Sequence, residues 1–138
     1  MLPVRNPFTD LQSAINAVPY ARFLGITCRE EADGPLFVLP YFEQNIGNVR
    51  LPALHGGVIG GFLENAAVLH LMWARETCSI PKIVDFSIDY LRSARPQALH
   101  ARCEIVRQGK RVANVLISAW QENEAVPVAM ARAHYLLA

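Results

Sequence analysis

The residues best suited to chemistry are His55, Gly56 and Gly57, which stand at the start of a long apolar stretch. The first N–H groups of a helix lack internal partners, and the helix dipole adds partial positive charge at that end. Two glycines let a substrate carbonyl approach the backbone, and the imidazole can orient either the loop or the substrate. We therefore predict an oxyanion-binding site here. The same tripeptide is also compatible with a simple turn.

Glu64 is the second candidate, because it is the one ionisable residue between Gly56 and Leu69. An unpaired carboxylate is costly inside an apolar core, so Glu64 must face a cavity, an interface or water. It lies nine residues after His55, which places the two on opposite faces of a helix, roughly 13 Å apart. If both serve one reaction, Glu64 must come from a second subunit across a twofold axis. A solvated or interface-capping charge is the alternative.

These residues belong to a helix that the sequence predicts from Gly57 to about Arg75, apolar on almost every side and therefore buried. Before it, helical spacing predicts a short helix that ends at Pro19, within an N-terminal segment of residues 1–20. Asp33-Gly34 between two apolar runs predicts a hairpin over residues 26–41. Residues 43–53, rich in turn-forming types, predict a loop.

Four strands are predicted after the helix, over residues 83–92, 98–107, 112–121 and 126–137. Short turns join the last three, which therefore form an antiparallel meander. A curved antiparallel sheet wrapped around one long central helix buries this set of elements most simply. The prediction is an α+β protein with the outline of a hot-dog fold.

Composition limits the classes of protein to which the chain can belong. Its 138 residues predict one domain over residues 1–138, and a hydrophobic content of 52% favours self-association. Thirteen Lys and Arg against twelve Asp and Glu predict neither nucleic-acid nor membrane binding. We find no targeting or membrane-spanning segment. Three widely spaced cysteines without a Cys-x-x-Cys pair favour a reducing cytoplasm.

Several short motifs together make a more specific pattern than any one of them. They are the His-Gly-Gly at 55–57 with an acid nine residues later, VDFSIDYLR at 84–92, RQGKR at 107–111 and VAMA at 128–131. From Phe23 to Tyr135 the sequence resembles the hot-dog-fold acyl-CoA thioesterases of the PaaI-like group. Each motif alone is common.

The resemblance implies that the Gly56 amide polarises a thioester carbonyl while His55 supports that arrangement. It implies that Glu64 of the partner subunit acts as nucleophile or general base in a homodimer or homotetramer. No metal and no other cofactor is implied, because a carboxylate and an oxyanion hole suffice for acyl transfer to water. Gly57 is expected to contact the substrate.

Two further contacts with the substrate are predicted outside the helix. Lys110 and Arg111, with Arg107, form a basic cluster at one hairpin that is able to bind phosphates or simply to keep a strand edge soluble. Asn48 is the candidate for an asparagine that the family often places six residues before the histidine, where this chain has Val49.

Two other positions depart from the family pattern. Glu64 replaces the usual aspartate, and Ile83 stands where relatives place a hydroxyl that holds the attacking water. The first functional hypothesis is hydrolysis of acyl-CoA or acyl-carrier-protein thioesters. A non-catalytic acyl-CoA-binding domain is the first alternative. A hydratase or dehydratase is the second, although Arg50 occupies the place of that class's histidine.

Overall fold

The computed structural model describes Phe8 and residues 10–137 of the chain. Helix α1 spans Leu11–Ala17 and begins at Asp10, whose Oδ1 accepts a hydrogen bond of 2.7 Å from Ser13 N. Pro19 ends α1, as predicted, and also begins a second helix, α2 (Pro19–Leu24). The second helix was not predicted, and the helical segment therefore extends beyond residue 20. Proline is favoured at the first position of a helix, where no backbone N–H is needed.

The predicted hairpin is present as strands β1 (Thr27–Glu31) and β2 (Gly34–Leu39). Glu31 pairs with Gly34, so Ala32 and Asp33 form the turn. The turn therefore lies one residue earlier than an Asp-Gly turn would place it. Gly34 opens β2 with φ of 111°, a conformation that favours glycine because it has no Cβ.

Residues 43–53 contain more structure than the predicted loop. A 3-10 helix (Glu43–Asn45) leads into strand β3 (Ile46–Asn48), which pairs with strand β4 (Ala53–Leu54) in a small two-stranded sheet. Strands this short carry no periodic pattern that a sequence could reveal. The small sheet delivers the chain to His55.

The long central helix α3 spans Gly56–Ala74, close to its predicted bounds. The four predicted strands follow as β5 (Lys82–Tyr90), β6 (Leu99–Gln108), β7 (Val112–Trp120) and β8 (Ala129–Leu136). The main sheet has the order β1-β2-β6-β7-β8-β5, and all of its neighbours are antiparallel. Most of α3 is buried in the core. The predicted α+β architecture, a long helix packed against an antiparallel sheet, is confirmed.

Strand β5 lies at one edge of the main sheet and pairs with β8 alone in the part of the chain described. Its side chains alternate: Phe86 and Ile88 lie opposite the buried alanines of β8, whereas Asp85 and Ser87 lie opposite His134 and Arg132. One face of β5 is therefore apolar and turned toward α3. Its outer edge offers unpaired backbone groups, which is the arrangement that permits pairing with another strand.

Helix α3 is long and apolar enough to cross a membrane by length and composition alone, and it is the one such helix among residues 10–137. In its most apolar window, 61% of the residues are buried inside the molecule. The core helix of a water-soluble protein passes the same test, so this feature is weak evidence for a membrane span.

Candidate active site

His55 is the N-cap of α3 and uses its ring and its main chain to begin the helix. Its Nδ1 accepts a hydrogen bond of 2.9 Å from Gly57 N, and its carbonyl accepts from Val58 N and Ile59 N. A ring that accepts at Nδ1 carries its proton on Nε2 when neutral. His55 N in turn donates to the carbonyl of Asn45 at 2.8 Å, so the 3-10 helix fixes the approach to α3.

The Gly56 N–H is the remaining donor of this first turn. Of Phe8 and residues 10–137, none accepts a hydrogen bond from it, whereas the next three N–H groups bind His55. Gly57 is exposed and Gly56 is partly exposed. An anionic oxygen at this end of α3 would therefore meet an available donor and the positive end of the helix dipole.

Tyr90, at the end of β5, closes over the same helix start. Its hydroxyl donates a hydrogen bond of 2.7 Å to the carbonyl of Gly56. A Cβ on Gly56 would lie 3.3 Å from Cζ and from the hydroxyl of Tyr90, and one on Gly60 would lie 3.7 Å from that hydroxyl. The glycines thus permit a close approach of the tyrosine ring. No spacing rule in the sequence links Tyr90 to Gly56.

Glu64 lies on α3, partly buried, and its backbone carbonyl accepts a hydrogen bond of 2.8 Å from the Tyr135 hydroxyl. Burial, and secondly the charge of Glu64, raise the pKa of Tyr135, which therefore remains a donor. Within the described residues, no side chain forms an ion pair or a hydrogen bond with the Glu64 carboxylate. Because α3 is continuous from Gly56 to Ala74, helix geometry keeps Glu64 roughly 13 Å from His55 of the same chain.

Asn48 serves the local backbone. Its Oδ1 accepts hydrogen bonds from Arg50 N at 3.0 Å and from Leu51 N at 3.2 Å. That oxygen therefore holds the turn between β3 and β4, and its role in substrate binding stays a prediction. Asn45, which the sequence did not single out, is buried and positions His55 through its carbonyl. Gly47 permits this packing, because a Cβ there would lie 2.7 Å from His55 Cα.

Lys110 and Arg111 lie in the turn between β6 and β7, at the far end of the sheet from Tyr90. Val112 pairs with Leu136, which pairs with Lys82 at the first residue of β5, whereas Tyr90 is its last residue. At about 3.3 Å per residue the two ends of β5 are roughly 26 Å apart. The basic cluster is therefore remote from His55 of its own chain.

Two surface cavities lie near the end of β5. One, of about 340 Å³, is lined by Gly56, Ile59, Tyr90 and the segment 91–94. The other, of about 320 Å³, is lined by Arg92, Arg95 and residues of the β7–β8 connection and does not reach Gly56. The first cavity is the one that fits the chemistry, because it opens on the helix start.

Among the residues that the structure describes, the remaining titratable groups form no second catalytic cluster. Burial lowers the pKa of His70 to about 4, so its ring is neutral at pH 7. His134 Nδ1 lies 2.8 Å from Asp85 Oδ1 on the outer face of the sheet. Cys28, Cys78 and Cys103 form no disulfide. Over the described residues, no group of His, Cys, Asp and Glu side chains could hold a metal ion.

A sequence model of the thioesterase superfamily matches residues 51–128, which include His55, Glu64 and Tyr90. This match covers more than half of the chain. The chain belongs to the thioesterase superfamily. The resemblance to hot-dog acyl-CoA thioesterases is thereby confirmed at the level of family and fold.

Individual relatives of this thioesterase-superfamily chain agree with that assignment. The medium/long-chain acyl-CoA thioesterase YigI of Escherichia coli is 28% identical over 134 residues, covering 87% of this chain and 86% of YigI. A crystal structure from Chromobacterium violaceum is 54% identical, with a TM-score of 0.73 and coverage of 90% of this chain and 86% of that one. A putative thioesterase of Ralstonia eutropha, described as phenylacetic acid degradation-related, shares the fold at 21% identity, with a TM-score of 0.75 and coverage of 86% and 89%.

Proposed function

We propose that the protein hydrolyses acyl-CoA thioesters at a site formed between two copies of the chain. The observation that carries the proposal is the available Gly56 N–H at the start of α3, beside a cavity, in a chain of the thioesterase superfamily. The activity named for YigI supports acyl-CoA as the substrate class. An acyl-carrier-protein thioester presents the same carbonyl and remains the nearest alternative substrate.

The second copy is proposed because one chain keeps its candidate groups apart. Two β5 edges that pair antiparallel about a twofold axis would set the Tyr90 end of one strand beside the Lys82 end of the other. The same axis would reverse α3 and bring Glu64 of the partner subunit toward His55. It would also bring the partner's Lys110 and Arg111 toward the phosphates of a bound CoA. A homodimer, or a homotetramer built from it, would therefore complete the site.

The proposed reaction uses a carboxylate and backbone donors. The Gly56 N–H binds the thioester oxygen, which gains negative charge as the carbonyl carbon becomes tetrahedral. The Glu64 carboxylate either takes a proton from the attacking water or attacks the carbon itself, giving an anhydride that water then opens. In both routes the C–S bond breaks, the thiolate of CoA takes up a proton, and a carboxylic acid is released. Gly57 leaves space for the acyl carbonyl.

The test is thiol release from short, medium, long and aromatic acyl-CoAs by the wild-type protein and by Glu64→Gln. Loss of a general base or nucleophile is expected to lower kcat by about 10²-fold or more. Glu122→Gln is the matched control, because Glu122 is an exposed acid in the β7–β8 connection. Binding of acyl-CoA without turnover by the wild type would instead favour a non-catalytic acyl-CoA-binding domain. That alternative agrees with Ile83, which stands where relatives place a hydroxyl that holds the attacking water.

We also propose a cytoplasmic location, since three widely spaced cysteines without a Cys-x-x-Cys pair suit a reducing compartment. Fractionation of cells that produce the full-length chain tests this proposal. Recovery with membranes or outside the cytoplasm would contradict it.

A further inference from the structure

The start of α3 contains two consecutive glycines, the residue type with the greatest backbone freedom. The first turn of a helix is also weakly stabilised, because its N–H groups lack partners within the helix. An oxyanion donor is effective only when it is held in place before the reaction. Something other than the helix itself must therefore hold this backbone.

The peptide group between Gly56 and Gly57 is held by hydrogen bonds on both sides. The Gly56 carbonyl and the Gly57 N–H belong to the same planar peptide group. The carbonyl accepts from the Tyr90 hydroxyl at 2.7 Å, and the N–H donates to His55 Nδ1 at 2.9 Å. The two hydrogen bonds polarise the peptide in the same sense, so each strengthens the other. Side chains thus fix both ends of the peptide that follows the Gly56 N–H.

Within a single chain, Tyr90 is only partly covered by its neighbours. The residue is 52% exposed, and its ring lies over the helix start, 3.3 Å from the position of a Cβ on Gly56. Tyr90 is the last residue of β5 and lies 34 residues after Gly56 along the chain. The ring therefore joins the edge strand to the helix start.

We propose that Tyr90 is a positioning residue that orients the Gly56 N–H for the thioester oxygen by hydrogen bonding to the Gly56 carbonyl. The inference deepens the proposed function and depends on it for the identity of the reaction. Tyr90 does not need to touch the substrate. Its effect reaches the substrate through the backbone of Gly56.

The variant that tests the inference is Tyr90→Phe, which removes the hydroxyl and keeps the ring over Gly56. Loss of one hydrogen bond is expected to lower kcat about 5- to 20-fold and to leave KM within about twofold, since the donor matters most when the oxygen carries charge. Tyr41→Phe is the matched control, because Tyr41 is an exposed tyrosine in the loop after β2. Equal oligomeric state is checked by analytical ultracentrifugation.

Two unreactive CoA ligands distinguish a positioning role of Tyr90 from a purely structural role. A ketone analogue, in which CH₂ replaces the sulfur, keeps the carbonyl, whereas an S-alkyl-CoA thioether lacks it. Tyr90→Phe is expected to weaken binding of the ketone and to leave binding of the thioether unchanged. In the complex with Tyr90→Phe, the infrared C=O stretching frequency of the ¹³C-labelled ketone is expected to lie closer to its value in water than it does in the wild-type complex. A purely structural role would alter both affinities together and leave the stretch unchanged.

The outcomes distinguish this inference from the proposed function. If the wild type hydrolyses thioesters and Tyr90→Phe matches it in kcat and in ketone binding, the positioning role is overturned and hydrolysis stands. If the wild type hydrolyses nothing but prefers the ketone through Tyr90, hydrolysis is overturned and positioning stands. If the wild type shows neither turnover nor a preference for the ketone, both hydrolysis and the positioning role of Tyr90 are overturned.

Discussion

His55 has a structural task and a chemical setting at the same position. The ring accepts from Gly57 N while the main-chain carbonyl begins the helix. An alanine at position 55 would remove the side-chain cap, at a cost of about 1 kcal/mol. It would also release the Gly56–Gly57 peptide, which directly follows the candidate oxyanion donor, the Gly56 N–H. Activity lost in such a variant therefore reflects positioning as much as direct contact with the substrate.

His70 leads to a prediction about stability and pH. His70 is 8% exposed and its ring lies near that of Trp73, and burial lowers its pKa from 6.5 to about 4. Below pH 6.5 the His70 ring binds a proton in the unfolded chain but stays neutral in the folded chain. The free energy of unfolding therefore falls as the pH falls toward 4. The loss from this residue is about 2 kcal/mol between pH 7 and pH 5.

Urea unfolding of the wild type and of His70→Leu at several pH values measures this effect. We expect the variant to lose less stability than the wild type as the pH is lowered from 7 to 5. Parallel pH dependences for the two proteins would contradict the neutral, buried state of His70.

At the scale of elements, the hairpin between β6 and β7 matters because it carries the predicted phosphate contacts. Lys110 and Arg111 are exposed there. The double variant Lys110→Ala/Arg111→Ala is expected to raise KM for an acyl-CoA about tenfold, because charge-assisted phosphate contacts are lost. It is expected to leave KM for the same acyl group on pantetheine unchanged, since pantetheine has no phosphate. Steady-state kinetics on both substrates measures the difference.

Arg95→Ala is the matched control for the hairpin variant. Arg95 is also exposed but lines the cavity near the β7–β8 connection. An acyl-CoA-specific rise in KM for Arg95→Ala, with none for the hairpin variant, would move the phosphates to that cavity and contradict the predicted contacts.

At the scale of the whole molecule, the question is whether one site draws on two chains. His55→Ala and Glu64→Gln homodimers are each expected to be inactive. When the two proteins are unfolded, mixed in equal amounts and refolded, half of the dimers should be heterodimers, each with one intact site. About a quarter of wild-type activity should therefore return.

The mixing experiment would restore no activity if each site belonged to one chain. If His55 and Glu64 of the same chain formed each site, every site in the mixture would carry one defect and no activity would return. Refolded wild type is the control for losses during refolding, and sedimentation of the mixture verifies that dimers have formed.

Local patterns in the sequence were sufficient for most of the elements. The apolar run after His55 predicted α3 to within a residue or two, and the strand predicted over residues 83–92 agrees with β5 to within two residues. These succeed because amphipathic and buried segments repeat with the period of their backbone. The helix that begins at Pro19 and the two-stranded β3–β4 sheet were missed, because segments so short contain too few repeats.

The sequence by itself determined the helix start with its two glycines, the lone acid on α3 and the separation between them, because all three follow from residue type and helix geometry. Only the tertiary structure showed Tyr90 bound to Gly56 and Asn45 bound to His55, and only it placed β5 at the sheet edge. The reason is physical: periodicity specifies which face of an element is buried. Which elements meet, and which edge stays open, depends on how the whole chain packs.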